Sequence, residues 1–353
     1  MPVRPAGGPR SPIELSERQA AVLRAVVTGY VGEATPIGSK TIASLLPTHL
    51  SAATVRNVLV ELAELGLLEK PHASAGRLPT ERGLRCFVDS LPPHAALAPL
   101  ERREIAWRLS DVETDEVVHV ASELLSRHTR QLGFVVTPRL DRLVLRHAGL
   151  VRLSSERLLV VLVSHSGTAH RRVVETPEPL TQAELDEITA ILSERVEGRT
   201  LPEVRELLAR EAEALRHQAN RLLDLAVSVG RRALSGDDDA AVDLVIETRL
   251  ALLEQPEFQD PRRVRALFEA VETKSRLLEV LDRMLEDEGV RVAFGEELDE
   301  PSLRHCALVA ARYGGPGGPL GTLGVIGPSR MDYPRIVAFV HYLSRVIGER
   351  LSA

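Results

Sequence analysis

Apolar positions recur at helical spacing in three short runs near the start of the chain. Ser16 and Gln19 form a capping box ahead of Leu23, Val26, Val27 and Tyr30, predicting a helix over about 17–31. Gly38 and Ser39 lead into a short second helix with Ile42, Leu45 and Leu46 inward, ended by Pro47. Ser51 caps a third helix whose core stripe is Val55, Leu59 and Leu62, and Gly66 is an apt residue just past its end. Residues 67–70 and roughly 80–88 read as the two sides of a hairpin around the Gly- and Pro-containing loop 71–79. Three small helices followed by a hairpin predict a winged helix-turn-helix over 15–90, with 1–14 a disordered tail.

Pro92, Pro93 and Pro99 mark a linker over 91–113. A helical pattern follows near 114–130. Short β-like runs then come at 134–136, 143–145, 158–164 and 172–175. From Thr181 the pattern turns helical, with one long helix from Pro202 to about Val229 and another from Pro261 to near Gly289. Strand character returns at 290–294, 307–312 and 320–326, and a closing helix spans about 335–351. The fold class is therefore α+β. The α+β domain covers 114–176 and 262–353 and is interrupted by a mainly helical insert, 177–261. Within the insert Leu208, Leu215, Leu222 and Val229 repeat every seven residues. Such a seam fits pairing with a second copy of the chain, or packing within one subunit.

Charge sharpens this picture. The chain has a net charge of −6, which argues against a uniformly basic protein. Residues 1–90 nevertheless hold 10 Lys+Arg against 8 Asp+Glu, whereas 177–261 hold 9 Arg against 19 Asp+Glu. The acidity is concentrated away from the N-terminal domain, which is free to meet phosphates. No apolar run approaches the roughly 18 residues needed to cross a bilayer, so no membrane partner is expected. Cys86 and Cys306 are the only cysteines. They suit a reducing cytoplasm and form neither a disulfide framework nor a metal cluster.

The third helix carries the candidate chemistry. Opposite its core stripe lie Ala53, Arg56, Asn57 and Val60. Small residues from Ser51 to Ala53, with Thr54, let the backbone approach a major groove. Arg56 and Asn57 are the side-chain types that bond guanine and adenine edges bidentately. Ser39, Lys40 and Thr41 open the second helix, which in such domains crosses the DNA backbone. His72 and Arg77 lie in the wing, with Arg82 and Arg85 just beyond. A capped amphipathic helix is also ordinary solvated surface, and winged helices serve as protein-binding modules as well. Helix and wing together favour double-stranded DNA.

Two separated stretches resemble one known family, the heat-inducible transcription repressors HrcA. The first is Ser51-Ala-Ala-Thr-Val-Arg-Asn57, continued by Leu65-Gly-Leu-Leu-Glu-Lys-Pro-His72 and Ser74-Ala-Gly-Arg-Leu-Pro-Thr80, with Gly83, Arg85 and Phe87-Val-Asp89. The second is Leu323-Gly-Val-Ile-Gly-Pro-Ser-Arg-Met-Asp-Tyr333. The resemblance implies that the α+β domain is GAF-like and that the insert is a dimerising domain. It further implies repression of chaperone operons by a homodimer on an inverted-repeat operator, with the chaperonin GroEL keeping the repressor active.

The alternative reading is a ligand-sensing regulator with an effector in the GAF-like domain. No convincing ligand constellation supports it, and no cofactor or metal is expected. Residues 314–318 lack the Gly-Lys-Ser/Thr ending of a phosphate loop and read as a hairpin. Ser164, His165 and Ser166 lack a nucleophile elbow, so an enzyme is not expected. His147, His170 and His305 are scattered.

Overall fold

A computed structural model describes residues 4–5 and 13–352, except 48–49, 73–74, 93–96, 111, 113–115, 138–143, 166–168, 177–178, 216–220, 235–243, 248–249, 286–288 and 316–317. Within the expected tail, β1 (Arg4–Pro5) pairs in parallel with Arg291 and Val292. Helix α1 (Glu17–Glu33) starts on the Ser16–Gln19 capping box and buries Val22, Leu23, Val26 and Val27. Helix α2 (Ser39–Leu45) buries Ile42, but Leu45, expected inward, is exposed. Helix α3 (Ala52–Glu64) buries Val55, Val58, Leu59 and Leu62. It ends in a Schellman motif: Leu67 N–H donates to Leu62 O and Gly66 N–H to Ala63 O, both 2.9 Å. Gly66 takes φ +73°, which a side chain would strain.

The wing is shorter than its hydrophobic pattern suggests. Strands β2 (Leu68–Glu69) and β3 (Leu78–Pro79) pair antiparallel. A single antiparallel bridge, Ile37 to Arg77, adds a third edge. A Cβ on Gly76 would overlap the backbone of Ile37, so only glycine lets the wing approach this closely. The expected second side of the hairpin is instead helix α4 (Glu81–Asp89), capped by Thr80, whose Oγ1 accepts from Gly83 N–H. Gly83, Leu84, Phe87 and Val88 are buried on one side of it, a helical rather than an alternating spacing.

The expected linker also contains a helix, α5 (Pro99–Ser110), with Ile105 and Leu109 buried. Helix α6 (Val117–Thr129) follows and packs on β4 (Leu132–Val136). Next come β5 (Leu145–Arg152), β6 (Arg157–Ser164) and β7 (Ala169–Glu175), which form their own antiparallel sheet. Helices α7 (Gln182–Val196), α8 (Leu201–Leu215) and α9 (Arg221–Leu234) cover one face of it. The chain returns to the main sheet with β8 (Leu244–Glu247), paired to β4. Helices α10 (Leu250–Leu253), α11 (Pro261–Glu272) and α12 (Lys274–Met284) precede β9 (Val290–Phe294), β10 (Cys306–Gly315), β11 (Gly318–Pro328) and the closing helix α13 (Tyr333–Ser352).

Two domain boundaries differ from the expectation. Strands β5–β7 group with the insert, since among the described residues they pair with one another and not with the main sheet, and they share a core with α7–α9. Residues 244–261 belong to the α+β body, through β8 and α10. The main sheet has the order β1-β9-β10-β11-β4-β8 and buries both faces. Val135, Val292, Val309 and Val325 face α6, α13 and the winged helix. Phe134, Ala293, Leu308 and Ile326 face α11 and α12. This period of two is the strand alternation itself.

The heptad seam is corrected at Leu208 and Val229. Its residues fall on two helices, α8 and α9, which pack against each other and against α7. Leu208 and Val229 are 0% and 1% exposed within the insert's own core, and Leu222 packs partly against it. Leu215 is described by backbone alone. Buried residues of one subunit are not open to a second copy. Leu208→Ala should therefore lower stability by about 2–5 kcal/mol, the usual loss for an emptied core position. Chemical denaturation of the full chain checks this. An unchanged midpoint would contradict the burial.

Candidate nucleic-acid interface

The outward side of α3 is built by its caps and its core stripe. Ser51 Oγ accepts from Thr54 N–H at 3.1 Å and lies 2.9 Å from Thr54 Oγ1, so these two hydroxyls set the helix start. With Val55, Val58, Leu59 and Leu62 turned inward, Ala53, Arg56, Asn57 and Val60 are exposed. Arg56 Nε donates to Ser39 Oγ at 3.4 Å, bracing the guanidinium against the start of α2. Among the described residues this uses Nε alone, which leaves the terminal amino groups for a base edge. Gln19 Nε2 donates to Glu61 Oε2 at 2.9 Å, which ties the far end of α3 to α1.

Most of the sequence-predicted residues lie on the surface of this one small domain. Lys40 and Thr41 are exposed on α2, and Ser39 is half-buried beneath Arg56. His72 is exposed in the wing, Arg77 is half-buried at its base, and Arg82 is exposed on α4.

Arg85 does not join them. Its Nε donates to Glu297 Oε1 at 3.2 Å, and its Nη2 donates to Glu297 Oε2 at 2.6 Å and to Val292 O at 2.5 Å. Nη1 reaches Asp89 Oδ1 at 3.4 Å. The guanidinium carbon sits 4.8 Å from the centre of the Phe294 ring, which in turn packs on Tyr333 at 5.5 Å. Only 13% of the Arg85 side chain is exposed. Its planar fork matches the Glu297 carboxylate, and every nitrogen is engaged. Arg85 faces the α+β body, which corrects its expected place among the DNA contacts.

A second fork lies at the same domain junction, on residues to which sequence alone gives no role. Arg330 donates to Glu257 through Nε at 2.6 Å and Nη2 at 3.0 Å, and through Nη1 to Val31 O at 2.7 Å. Val31 lies in the last turn of α1, where a cation also meets the negative end of the helix. Arg330 belongs to the second of the two family-like stretches and Arg85 to the first, so both stretches contribute to the junction. Burial pushes the Tyr333 hydroxyl well above its ordinary pKa, and it stays neutral, donating to Ser329 O at 2.5 Å. Burial also raises the Glu81 and Asp89 carboxyls beside the first fork, with Arg85 opposing the shift at Asp89.

Elsewhere in the body, a surface cleft is lined by Arg276, Glu279, Asp282, Arg283, Asp299 and Glu300. Arg283 pairs with Asp299 at 3.0 Å there, and Arg276 with Glu300 at 3.8 Å. No group of three or more His, Cys, Asp or Glu able to hold a metal occurs among the described residues. No helix among them is long and apolar enough to cross a membrane.

Comparison with known proteins matches both parts of the chain. Residues 14–87 match the family described as winged helix-turn-helix transcription repressor, HrcA DNA-binding, and residues 115–337 match HrcA protein C terminal domain. The heat-inducible transcription repressor HrcA of Syntrophobacter fumaroxidans is 37% identical, covering 96% of this chain and 98% of that protein. That of Geobacter sulfurreducens is 35% identical over 96% and 98%. A crystal structure of a hypothetical protein at 2.2 Å resolution shares the fold, with a TM-score of 0.59 at 22% identity over 96% of this chain and 99% of that one. With an exposed, capped third helix on a winged domain and near full-length similarity to these repressors, the chain belongs to the heat-inducible transcription repressor HrcA family.

Proposed function

We propose that this repressor binds an inverted-repeat operator of chaperone genes as a homodimer in the cytoplasm, with its activity sustained by the chaperonin GroEL. The observation that carries the DNA reading is the exposure of Arg56 and Asn57 beside small residues on a capped α3. In this reading Arg56 and Asn57 read base edges, and Ala53 lets the helix approach. Ser39, Lys40, Thr41, Ser51 and Thr54 line the phosphates, and His72, Arg77 and Arg82 serve the wing. The chaperonin part of the reading rests on the family resemblance.

A different surface from the heptad seam supports the dimer. The helices cover one face of the β5–β6–β7 sheet. On its other face Val151, Leu159 and Val173 form one cross-strand row, and Gly149, Val161 and Arg171 form the next. Val151 and Val173 are 52% and 42% exposed. Exposed aliphatic side chains in a cross-strand row support an association surface on this face. A second copy applied to it about a two-fold axis would present two recognition helices to a palindromic site.

Three outcomes follow. Arg56→Ala and Asn57→Ala should each weaken operator binding by about 1–3 kcal/mol and relax sequence preference, while non-specific binding persists. Titration on operator and scrambled duplexes reads this, and unchanged operator affinity in both variants would remove them from the interface. Lys40→Ala should weaken binding to all duplexes alike and reduce the salt slope by about 0.9. An unaltered slope places Lys40 away from phosphate. Val161→Asp should convert the dimer to a folded monomer in sedimentation, and a persisting dimer would direct attention to another surface.

A further inference from the structure

The winged helix is not hung on a free tether. Its helix α4 contributes Leu84, Phe87 and Val88 to the same core that holds Val292, Phe294 and Tyr333 of the body. The Arg85 fork fixes one point of the domain to Glu297 and Val292. The Arg330 fork fixes a second point, the end of α1, to the body near Glu257. Two fixed points leave one rigid-body freedom, rotation about the line joining them. Packing of α4 against β9 removes that rotation.

We infer that Arg85 and Arg330 are positioning residues for operator binding: they lock each recognition helix at one distance and angle to the α+β body that carries the dimerising insert, and so make the repressor selective for half-site spacing. This rests on the dimeric operator reading above. Neither guanidinium is free to touch DNA, because each is spent on a carboxylate and a backbone carbonyl across the domain junction. Their effect therefore falls on geometry. Simultaneous engagement of two half-sites adds avidity only where the geometry permits it. A duplex turn is about 10–10.5 base pairs, so five extra base pairs turn one half-site to the opposite face of the DNA.

The test uses the full-length chain and three duplexes: the inverted repeat at natural spacing, the same repeat with five base pairs added to its spacer, and a single half-site. The unaltered chain should lose about 10²-fold on the lengthened spacer, falling to its single half-site affinity. The double variant Arg85→Lys, Arg330→Lys keeps both charges but lacks the forks. It should bind the single half-site as before and keep its sedimentation mass. Its loss on the lengthened spacer should shrink by about threefold or more, because the packing of α4 alone then restrains each winged helix. Full discrimination in this variant overturns the inference. So does tighter binding than the unaltered chain at natural spacing, which would make the forks a restraint on binding. Should the double variant lose single half-site binding, Arg330→Lys alone is read by the same criteria. If the unaltered chain itself favours no inverted repeat, the dimeric operator reading fails, a result separate from any failure of the forks.

Discussion

The fork between Arg85 and Glu297 is the contact on which the arrangement of the molecule depends. It joins residues 212 positions apart in sequence, on the DNA-binding domain and on the sheet of the body. Charge-assisted bonds of this kind stabilise by roughly 1.5–3 kcal/mol each, more than neutral ones. Partial burial against Phe294 shields the pair from the solvent screening that weakens surface ion pairs. Burial also makes the pair directional, since an unpaired guanidinium there would be costly. The Arg330 fork repeats the device on α1. The domain that meets DNA is thereby joined to the body at two points.

This arrangement gives the chain's charge distribution a physical sense. The exposed Lys40, Arg56, His72 and Arg82 of the winged helix lie on α2, α3, the wing and the start of α4, while the acidic stretch 177–261 lies outside that domain. Sheet and helices of the body are packed on both faces with aliphatic side chains, so the body acts as a frame. The insert has its own core on one sheet face and an aliphatic surface on the other. The three parts thus divide the work between them. The winged helix binds DNA, and in the proposed reading the body holds its angle and the insert meets a second copy.

Much of the winged helix is legible in the sequence because its signals are local. Ser16, Ser51 and Gly66 act within a few residues of themselves, and the structure has each in the role its chemistry suggests. Strands β9 to β11 are legible because both faces are buried and the runs are mostly apolar, with Arg291, Arg312 and Thr322 the polar interruptions. The second side of the wing reads as a strand, although Thr80 is a good helix cap and Leu84, Phe87 and Val88 have helical spacing. The insert boundary is not legible, because pairing decides which sheet a strand joins, and pairing is not local. The heptad register runs across the break between α8 and α9, where spacing alone cannot tell one helix from two. Arg85 looks like one more wing cation because its partners lie far along the chain. Arg330 sits in a family-like stretch without a visible role for the same reason.

Native-state hydrogen exchange on the full chain tests most directly whether the winged helix and the body are one unit. Amides of α4, β9 and the first turns of α13 share a core and two forks, so they should open together with one common free energy. Exchange of α1 to α4 as a separate unit, at clearly lower free energy than β9 and α13, would contradict the account and return the winged helix to a flexible tether.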